Sequence, residues 1–175
     1  MKMKTMISVL CVIAFGTATA QVPETGPPAE LKELDWMIGE WTGSWNWIME
    51  GMEGPMTDAI KVEWEGQFMK TTSNSEFMGV KMTDVSYLAW DAKQKKLASW
   101  TFTNFAPMPR IEWGTITGNT IVFLSEPWTV SETETVVSRA TMIKKSDSEM
   151  SLLLEFKVGD SWSKVADAVY KKKSA

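Results

Sequence analysis

The segment 34–47 reads Leu-Asp-Trp-Met-Ile-Gly-Glu-Trp-Thr-Gly-Ser-Trp-Asn-Trp, and the hydrophobic period changes within it. Before Gly39, apolar residues at positions 31, 34 and 38 have the spacing of one helix face. After Gly39 the period is two, because tryptophans at 41, 45 and 47 alternate with polar residues. A glycine is a common helix end. The segment therefore predicts a short helix over 29–38, followed at once by a β-strand.

The period of two continues through the rest of the chain in short runs that are separated by turns rich in Gly, Pro, Asp and Lys. The predicted strands are 40–47, 60–65, 67–75, 85–90, 97–104, 110–116, 120–125, 132–144, 150–158 and 162–171. Alternation of this kind gives each strand one dry and one wet face. About ten strands at short spacing predict a single all-β antiparallel domain, a sandwich or barrel. Closure into a barrel removes the sheet edges and can enclose one small ligand.

The motif Gly39-x-Trp41, placed after a short helix, is similar to the calycin signature of lipocalins and fatty-acid-binding proteins. The longer run 34–41 resembles a large bacterial family of exported domains of unknown function. Further matching stretches are 87–91 (Tyr-Leu-Ala-Trp-Asp), Trp113-Gly114 and a last strand that opens near Trp162 and ends in Tyr170. Nitrobindin-like haem barrels share this layout. The resemblance implies a calycin-like β-barrel of about ten strands with a short N-terminal capping helix.

The resemblance also implies a structural role for Gly39 and Trp41. In calycin-like barrels this tryptophan plugs one end of the barrel under a cationic side chain from the last strand. The only arginines are Arg110 and Arg139, neither in that strand, so the cation is expected to be a lysine such as Lys164 or Lys171.

The N-terminus has the three-part layout of a secretory signal peptide. Lys2 and Lys4 precede an apolar run of about eleven residues, and Thr-Ala-Thr-Ala at 17–20 ends in an A-x-A cleavage signal. We expect cleavage after Ala20, a flexible leader over 21–29, a barrel domain over 30–175, and export to the periplasm or outside. Removal of 1–20 changes the formal net charge from −4 to −6, because two lysines and no acids are lost.

Composition excludes several function classes. The chain has no histidine, and its single cysteine, Cys11, lies in the predicted signal peptide. Ser-His-Asp catalysis, histidine-ligated haem and the usual zinc sites are therefore excluded. An acidic domain is a poor partner for nucleic acid, and no other apolar run has membrane-spanning length. We predict no catalytic residue, no metal ligand and no cofactor, and leave the oligomeric state open.

Ten tryptophans are the strongest positive signal. Several lie on apolar faces of predicted strands, and ligand cavities are commonly lined by aromatic rings with a few polar groups. We predict that a small apolar or aromatic molecule binds inside the barrel, without a covalent bond. The candidate lining residues are Trp45, Trp64, Trp100, Phe102, Asn104, Trp113 and Thr115.

Three alternatives remain open. The same indoles can fill the barrel, leaving a protein-interaction module with a packed core. The barrel can also be an enzyme that uses carboxylate or Tyr87 acid–base chemistry. Finally, the thioethers of Met49, Met52 and Met56 are soft ligands for Cu(I), which makes the loop 49–56 a weak candidate copper site.

Overall fold

The computed structural model describes residues 26–49, 52–131 and 134–174. The predicted signal peptide and most of the leader lie outside these residues. A short helix α1 (Ala29–Lys32) and a 3₁₀ turn (Asp35–Met37) precede the sheet. The strands are β1 (Gly39–Met49), β2 (Met52–Glu65), β3 (Phe68–Phe77), β4 (Val80–Asp91), β5 (Lys96–Thr103), β6 (Arg110–Thr117), β7 (Thr120–Ser125), β8 (Trp128–Ser131), β9 (Glu134–Val136), β10 (Ser138–Ser146), β11 (Glu149–Val158) and β12 (Ser161–Lys172).

Ten of these strands form a closed antiparallel barrel in the order β1-β12-β11-β10-β7-β6-β5-β4-β3-β2. This confirms the all-β antiparallel domain predicted from the alternation, and of the sandwich and the barrel it is the barrel implied by the resemblance that forms. Closure depends on pairing between the first and last strands, where Trp41 lies opposite Lys172 and Trp47 lies opposite Ala166. The separate β8–β9 hairpin is inserted between β7 and β10.

Several local expectations differ from the structure. Strand β2 begins at Met52 and β4 at Val80, eight and five residues earlier than expected, so most of the loop expected over 49–56 belongs to β1 and β2. The helix predicted over 29–38 is divided into α1 and the 3₁₀ turn, because Leu34 leaves helical geometry with a ψ of 8°. The strand predicted over 132–144 is divided as well. The described part of this stretch gives β9 to the small hairpin and β10 to the barrel, with Val137 between them.

The two ends of the barrel differ. At the helix end, α1 lies with the turns at 66–67, 92–95, 118–119 and 147–148. At the other end, which we call the mouth, lie the turns at 78–79 and 159–160, the loop 104–109 and the β8–β9 insertion. The apolar core is at the helix end. There Leu31 of α1 and Leu34 form one buried cluster with inward strand residues that are almost completely buried: Trp41, Val62, Met69, Leu97 and Met150.

Strand register decides which side chains face inward. Directly opposed residues of an antiparallel pair share a face. Because Trp41 points inward, the pairing partners on each successive strand can be assigned to the inner or the outer face. On β5 this assigns Leu97, Ser99 and Thr101 to the inside and Trp100 and Phe102 to the outside. The inner face is therefore apolar at the helix end and increasingly polar toward the mouth.

Candidate functional site

Trp41 closes the helix end of the barrel. It is fully buried, and its indole Nε1 donates a hydrogen bond to Met37 O at 2.8 Å. The cation over its ring is Lys172, whose Nζ lies 5.2 Å from the ring centroid and donates to Trp36 O at 2.9 Å. The last strand thus supplies a lysine, but neither Lys164 nor Lys171. Alternation puts Lys172 on the inner face, opposite Trp41.

Gly39 makes this arrangement possible. Its φ is +129°, a region that side-chain-bearing residues rarely adopt, and a Cβ here would lie 2.9 Å from Lys172 Cε. The backbone of β1 can therefore approach the lysine that covers Trp41.

The structure places two of the predicted cavity residues on the inner face. Trp45 lies in the mouth half of the barrel. Trp64 lies at the helix end, where its Nε1 donates to Asp35 Oδ1 at 3.0 Å and its ring packs against the apolar core. These two indoles therefore do not form one cavity wall.

The other predicted cavity residues do not face the interior. Trp100, Phe102, Trp113 and Thr115 lie on the outer face. Asn104 lies just beyond β5, where its side chain is exposed and caps the edge of β4 by bonding Thr83 N and Lys81 O. The shared interior expected for the tryptophans is not formed.

The reason lies in the composition of β5 and β6. Alternation shows that two residue sets occupy opposite faces, but it does not say which set points inward. We expected the face with the larger apolar side chains to point inward. In the structure the opposite face points inward, with Ser99, Thr101 and Glu112. Phe102 is 52% exposed as a result.

An aromatic wall lines β1 in the mouth half. The rings of Trp45 and Trp47 stack with centroids 5.9 Å apart and an interplanar angle of 17°. Phe77 lies 6.1 Å from Trp47, and Tyr170 meets Trp45 edge-on at 6.0 Å. The indole Nε1 of Trp47 is buried without a hydrogen-bond partner.

Tyr170 connects this wall to a buried carboxylate. Its hydroxyl donates to Asp58 Oδ2 at 2.6 Å and accepts from Trp45 Nε1 at 2.9 Å. Asp58 is 5% exposed, and its Oδ1 accepts from Ser73 Oγ at 2.7 Å. The Tyr170 ring reaches this position over Gly43, where a Cβ would lie 2.8 Å from Cζ of the tyrosine.

Burial and the charge of Asp58 raise the pKa of Tyr170 well above its ordinary value. The hydroxyl therefore keeps its proton at neutral pH and acts as a hydrogen-bond donor. It is not suited to be a general base.

A second carboxylate lies on the same inner face. Asp84 is opposite Ser73 on β3 and Thr103 on β5. Neither Asp84 Oδ1 nor Thr103 Oγ1 makes a well-formed hydrogen bond, although both atoms are buried. Burial raises the pKa of Asp84, while Thr103 and the charge of Arg110 oppose the shift.

Arg110 belongs to a neighbouring ion pair. Its Nε lies 3.2 Å from Oε1 of Glu112, which is 5% exposed, but the two groups are not aligned for a hydrogen bond. The ring of Trp128 on β8 lies 5.3 Å from the guanidinium and is itself 7% exposed. The β8–β9 hairpin therefore covers the Arg110 side of the mouth, and Trp128 Nε1 also lacks a partner.

Solvent reaches the inner face of the mouth half. On that face Asp58, Phe77 and Thr101 are buried, but seven other inward residues are only partly buried: Trp45, Trp47, Ser73, Ser75, Met82, Asp84 and Thr103. Asp84 lies four residues from the mouth end of β4, which is about 13 Å at 3.3 Å per residue. It is also opposite Thr103, the last residue of β5, so on that side of the barrel Asp84 lies at the edge of the opening. We call this region, lined by the aromatic wall, Asp58, Asp84, Thr103 and Arg110, the inner site.

Sequence reasoning missed the polar residues of the inner site: Asp58, Ser73, Asp84, Thr103, Arg110, Glu112 and Tyr170. For two of them, Ser73 and Thr103, the available signal was the set of small polar residues that alternates with larger residues on β3 and β5. Tyr87, the tyrosine considered for catalysis, lies on the outer face and contacts Glu65 at 3.4 Å.

Two further open depressions are present, and the first shares Asp58 with the inner site. One, of about 370 Å³, runs over β1–β4 and is lined mostly by outward residues, among them Thr57, Asn74 and Glu76. The other, of about 420 Å³, lies at the helix end and includes Trp90 and Thr115.

The described residues carry no group of three or more Asp or Glu side chains arranged to hold a metal ion. Of the methionines considered for copper, Met56 is buried, and the side chains of Met49 and Met52 lie outside the described part. None of the described helices is both long and apolar enough to cross a membrane.

Comparison with known proteins identifies the architecture. No family model and no curated protein matches the chain. Among solved structures, the crystal structure of Rv2717c from M. tuberculosis is similar, with a TM-score of 0.65 and 16% sequence identity over 85% of this chain and 99% of that one. The class of protein is thus a closed ten-stranded β-barrel, consistent with the calycin-like barrel predicted from the sequence. At this identity the likeness concerns the fold alone.

Proposed function

We propose that the barrel binds one small organic molecule in the inner site, entering at the mouth. The observation that carries the proposal is the partial exposure of inward side chains at the mouth of a closed barrel, beside polar atoms with no partner. Each buried, unpaired polar group costs about 1–3 kcal/mol. A bound molecule or ordered water that completes these bonds removes that cost.

The lining indicates a molecule with two parts. The rings of Trp45, Trp47 and Phe77 offer a flat apolar wall for an aromatic or aliphatic body. Asp84, Thr103 and Arg110 offer hydrogen-bonding groups for a polar end. The ligand expected from the sequence, an apolar or aromatic molecule, therefore gains a polar group.

Fluorescence titration with N-phenyl-1-naphthylamine, a neutral apolar probe, tests the proposal. We expect saturable one-site binding with quenching of tryptophan emission. Trp47→Ala removes part of the inner wall and should weaken binding about tenfold or more. Trp100→Ala is the matched control, because it removes an indole from the outer face. Equal effects of the two substitutions, or no saturable binding, would contradict the proposal, and mass spectrometry of the purified protein would identify any ligand retained.

The outer face supports a second candidate, an interaction module. Phe102, Leu124 and Met108 are 52%, 46% and 61% exposed, respectively, and Trp100 and Trp113 lie on the same face as Phe102 and Leu124. Exposed apolar clusters often mark contact surfaces. Sedimentation equilibrium tests self-association, which Phe102→Ser should reduce if this face joins two copies.

The expected export is a separate proposal that rests on residues 1–20. N-terminal sequencing of the mature protein tests it, with Gln21 as the expected first residue.

A further inference from the structure

We propose that the polar end of the molecule bound in the inner site is an organic ammonium group, which Asp84 receives. This inference rests on the proposed function and adds the charge class of the ligand. It follows from the charges on the inner face, from the lack of a well-aligned hydrogen bond at Asp84 Oδ1 and from the aromatic wall on the same face.

The inner site has an excess of negative charge. Among the described inward residues of the mouth half, three carboxylates (Asp58, Asp84 and Glu112) accompany one guanidinium, that of Arg110. Arg110 forms its ion pair with Glu112. Lys144 and Lys172 lie at the helix end, over the rings of Trp36 and Trp41, and do not belong to the inner site. An anionic ligand would therefore meet uncompensated carboxylates, whereas a cation would neutralise part of the excess charge.

The missing partner of Asp84 is a donor. Ser73 and Tyr170 both donate to Asp58, so these two donors are already engaged. Asp84 Oδ1 makes no well-aligned hydrogen bond, and the Thr103 hydroxyl opposite it is a neutral donor that only partly offsets the effect of burial on the pKa of Asp84. A carboxylate oxygen in a partly desolvated site is best satisfied by a charged donor, because charge-assisted hydrogen bonds are about twice as strong as neutral ones.

The aromatic wall favours the same charge. The electron-rich faces of indole rings attract cations at about 0.5–2 kcal/mol, more where the site is desolvated. The stacked pair of Trp45 and Trp47 lies on the inner face, and Tyr170 links this pair by hydrogen bonds to Asp58. An aryl or alkyl amine can place its body on the rings and its ammonium group toward the carboxylates.

Isothermal titration with three compounds of similar size tests the inference: phenethylamine, 2-phenylethanol and 3-phenylpropionate. At neutral pH they are a cation, a neutral molecule and an anion with the same ring. We expect phenethylamine to bind at least tenfold more tightly than 2-phenylethanol, and 3-phenylpropionate to bind most weakly. Asp84→Asn should reduce the affinity for the amine to that for the alcohol and leave the affinity for the alcohol within about twofold.

Asp160→Asn is the control, because it removes the same charge from an exposed turn at the mouth. It should keep the preference for the amine. If amine and alcohol bind equally, or if Asp84→Asn retains the preference, the ammonium inference is overturned while the proposed function stands. If neither these compounds nor the naphthylamine probe binds, the proposed function fails and the inference fails with it.

Discussion

Replacement of Tyr170 by phenylalanine tests the polar network of the inner site. The substitution keeps the ring that lies over Gly43 and removes only the hydroxyl, which donates to Asp58 at 2.6 Å and accepts from Trp45 at 2.9 Å. Loss of a hydrogen bond to a charged group costs about 1.5–3 kcal/mol, and an unpaired buried N–H costs about 1–3 kcal/mol. Water that enters from the mouth recovers part of this loss. We therefore expect Tyr170→Phe to lower the free energy of unfolding by about 3 kcal/mol.

The chain provides a matched control, because it has only two tyrosines. The hydroxyl of Tyr87 makes one long contact, 3.4 Å to Glu65, on the exposed outer face. Tyr87→Phe should therefore change stability by less than about 0.5 kcal/mol. Urea unfolding followed by far-UV circular dichroism measures both variants. A loss for Tyr170→Phe below about 1 kcal/mol would mean that the network contributes little, and the reasoning from its short hydrogen bonds would be wrong.

Four further predictions concern single groups. In the Tyr87→Phe variant, Tyr170 is the remaining phenol. Because its pKa is raised in the folded protein, the unfolded chain loses this proton at a lower pH than the folded protein does. Phenolate absorbance at 295 nm should therefore stay low above pH 10 until the protein unfolds, and the free energy of unfolding should fall over that range. The pKa of Asp84 is raised, so this carboxyl holds its proton more tightly in the folded protein than in the unfolded chain. Stability should therefore fall as the pH rises from about 3.8. Asp84→Asn should remove that fall and stabilise the unliganded protein at pH 7, as measured by thermal melts. Trp41→Ala should cost about 3–5 kcal/mol in urea unfolding, as for a large buried aromatic residue, and a loss below about 1 kcal/mol would exclude its role as the plug. Gly43→Ala should cost about 1–3 kcal/mol, because the new methyl group overlaps the Tyr170 ring, and combination with Tyr170→Ala should recover part of this loss in a double-mutant cycle.

Asp84 is expected to lower the stability of the unliganded protein and to strengthen the binding of an amine, and these opposite effects give the ligand proposal a physical basis. A carboxylate that destabilises the empty barrel is disadvantageous for folding alone, and its removal should raise stability. Such a cost is common where a site is kept ready for a partner that completes its bonds. Asp84→Asn should therefore stabilise the protein and weaken the binding of an amine.

The barrel could be predicted because its pattern is local. Alternation along each strand, turn residues between strands and the helix-to-strand change at Gly39 are all visible within a few residues. The role of Trp41 was implied by the resemblance of Gly39-x-Trp41 to the calycin signature, which also led us to expect a lysine from the last strand over the ring. The structure supplies that lysine at 172, one residue from the expected Lys171, and the difference shows how a shift of one position reverses the face.

The inner site could not be predicted in the same way. Asp58 and Tyr170 are 112 positions apart, and their hydrogen bond exists because β1 lies between β2 and β12 in the closed sheet. Nothing near either residue in the chain indicates the other. The outward placement of Trp100 and Trp113 has a related cause, since the inside of a ten-stranded barrel is wide enough to stay partly wet and can accept the polar face of β5.

The sequence by itself determined the strand periodicity, the position of the capping segment and the absence of histidine chemistry, and its resemblance to calycins indicated the tryptophan plug. The tertiary structure alone decided which face of β5 and β6 points inward, which lysine covers Trp41, and which carboxylates meet inside the barrel. The physical reason is that side-chain alternation is a property of one strand, whereas facing and contact depend on register between strands. Register is fixed only when the first and last strands pair and close the sheet.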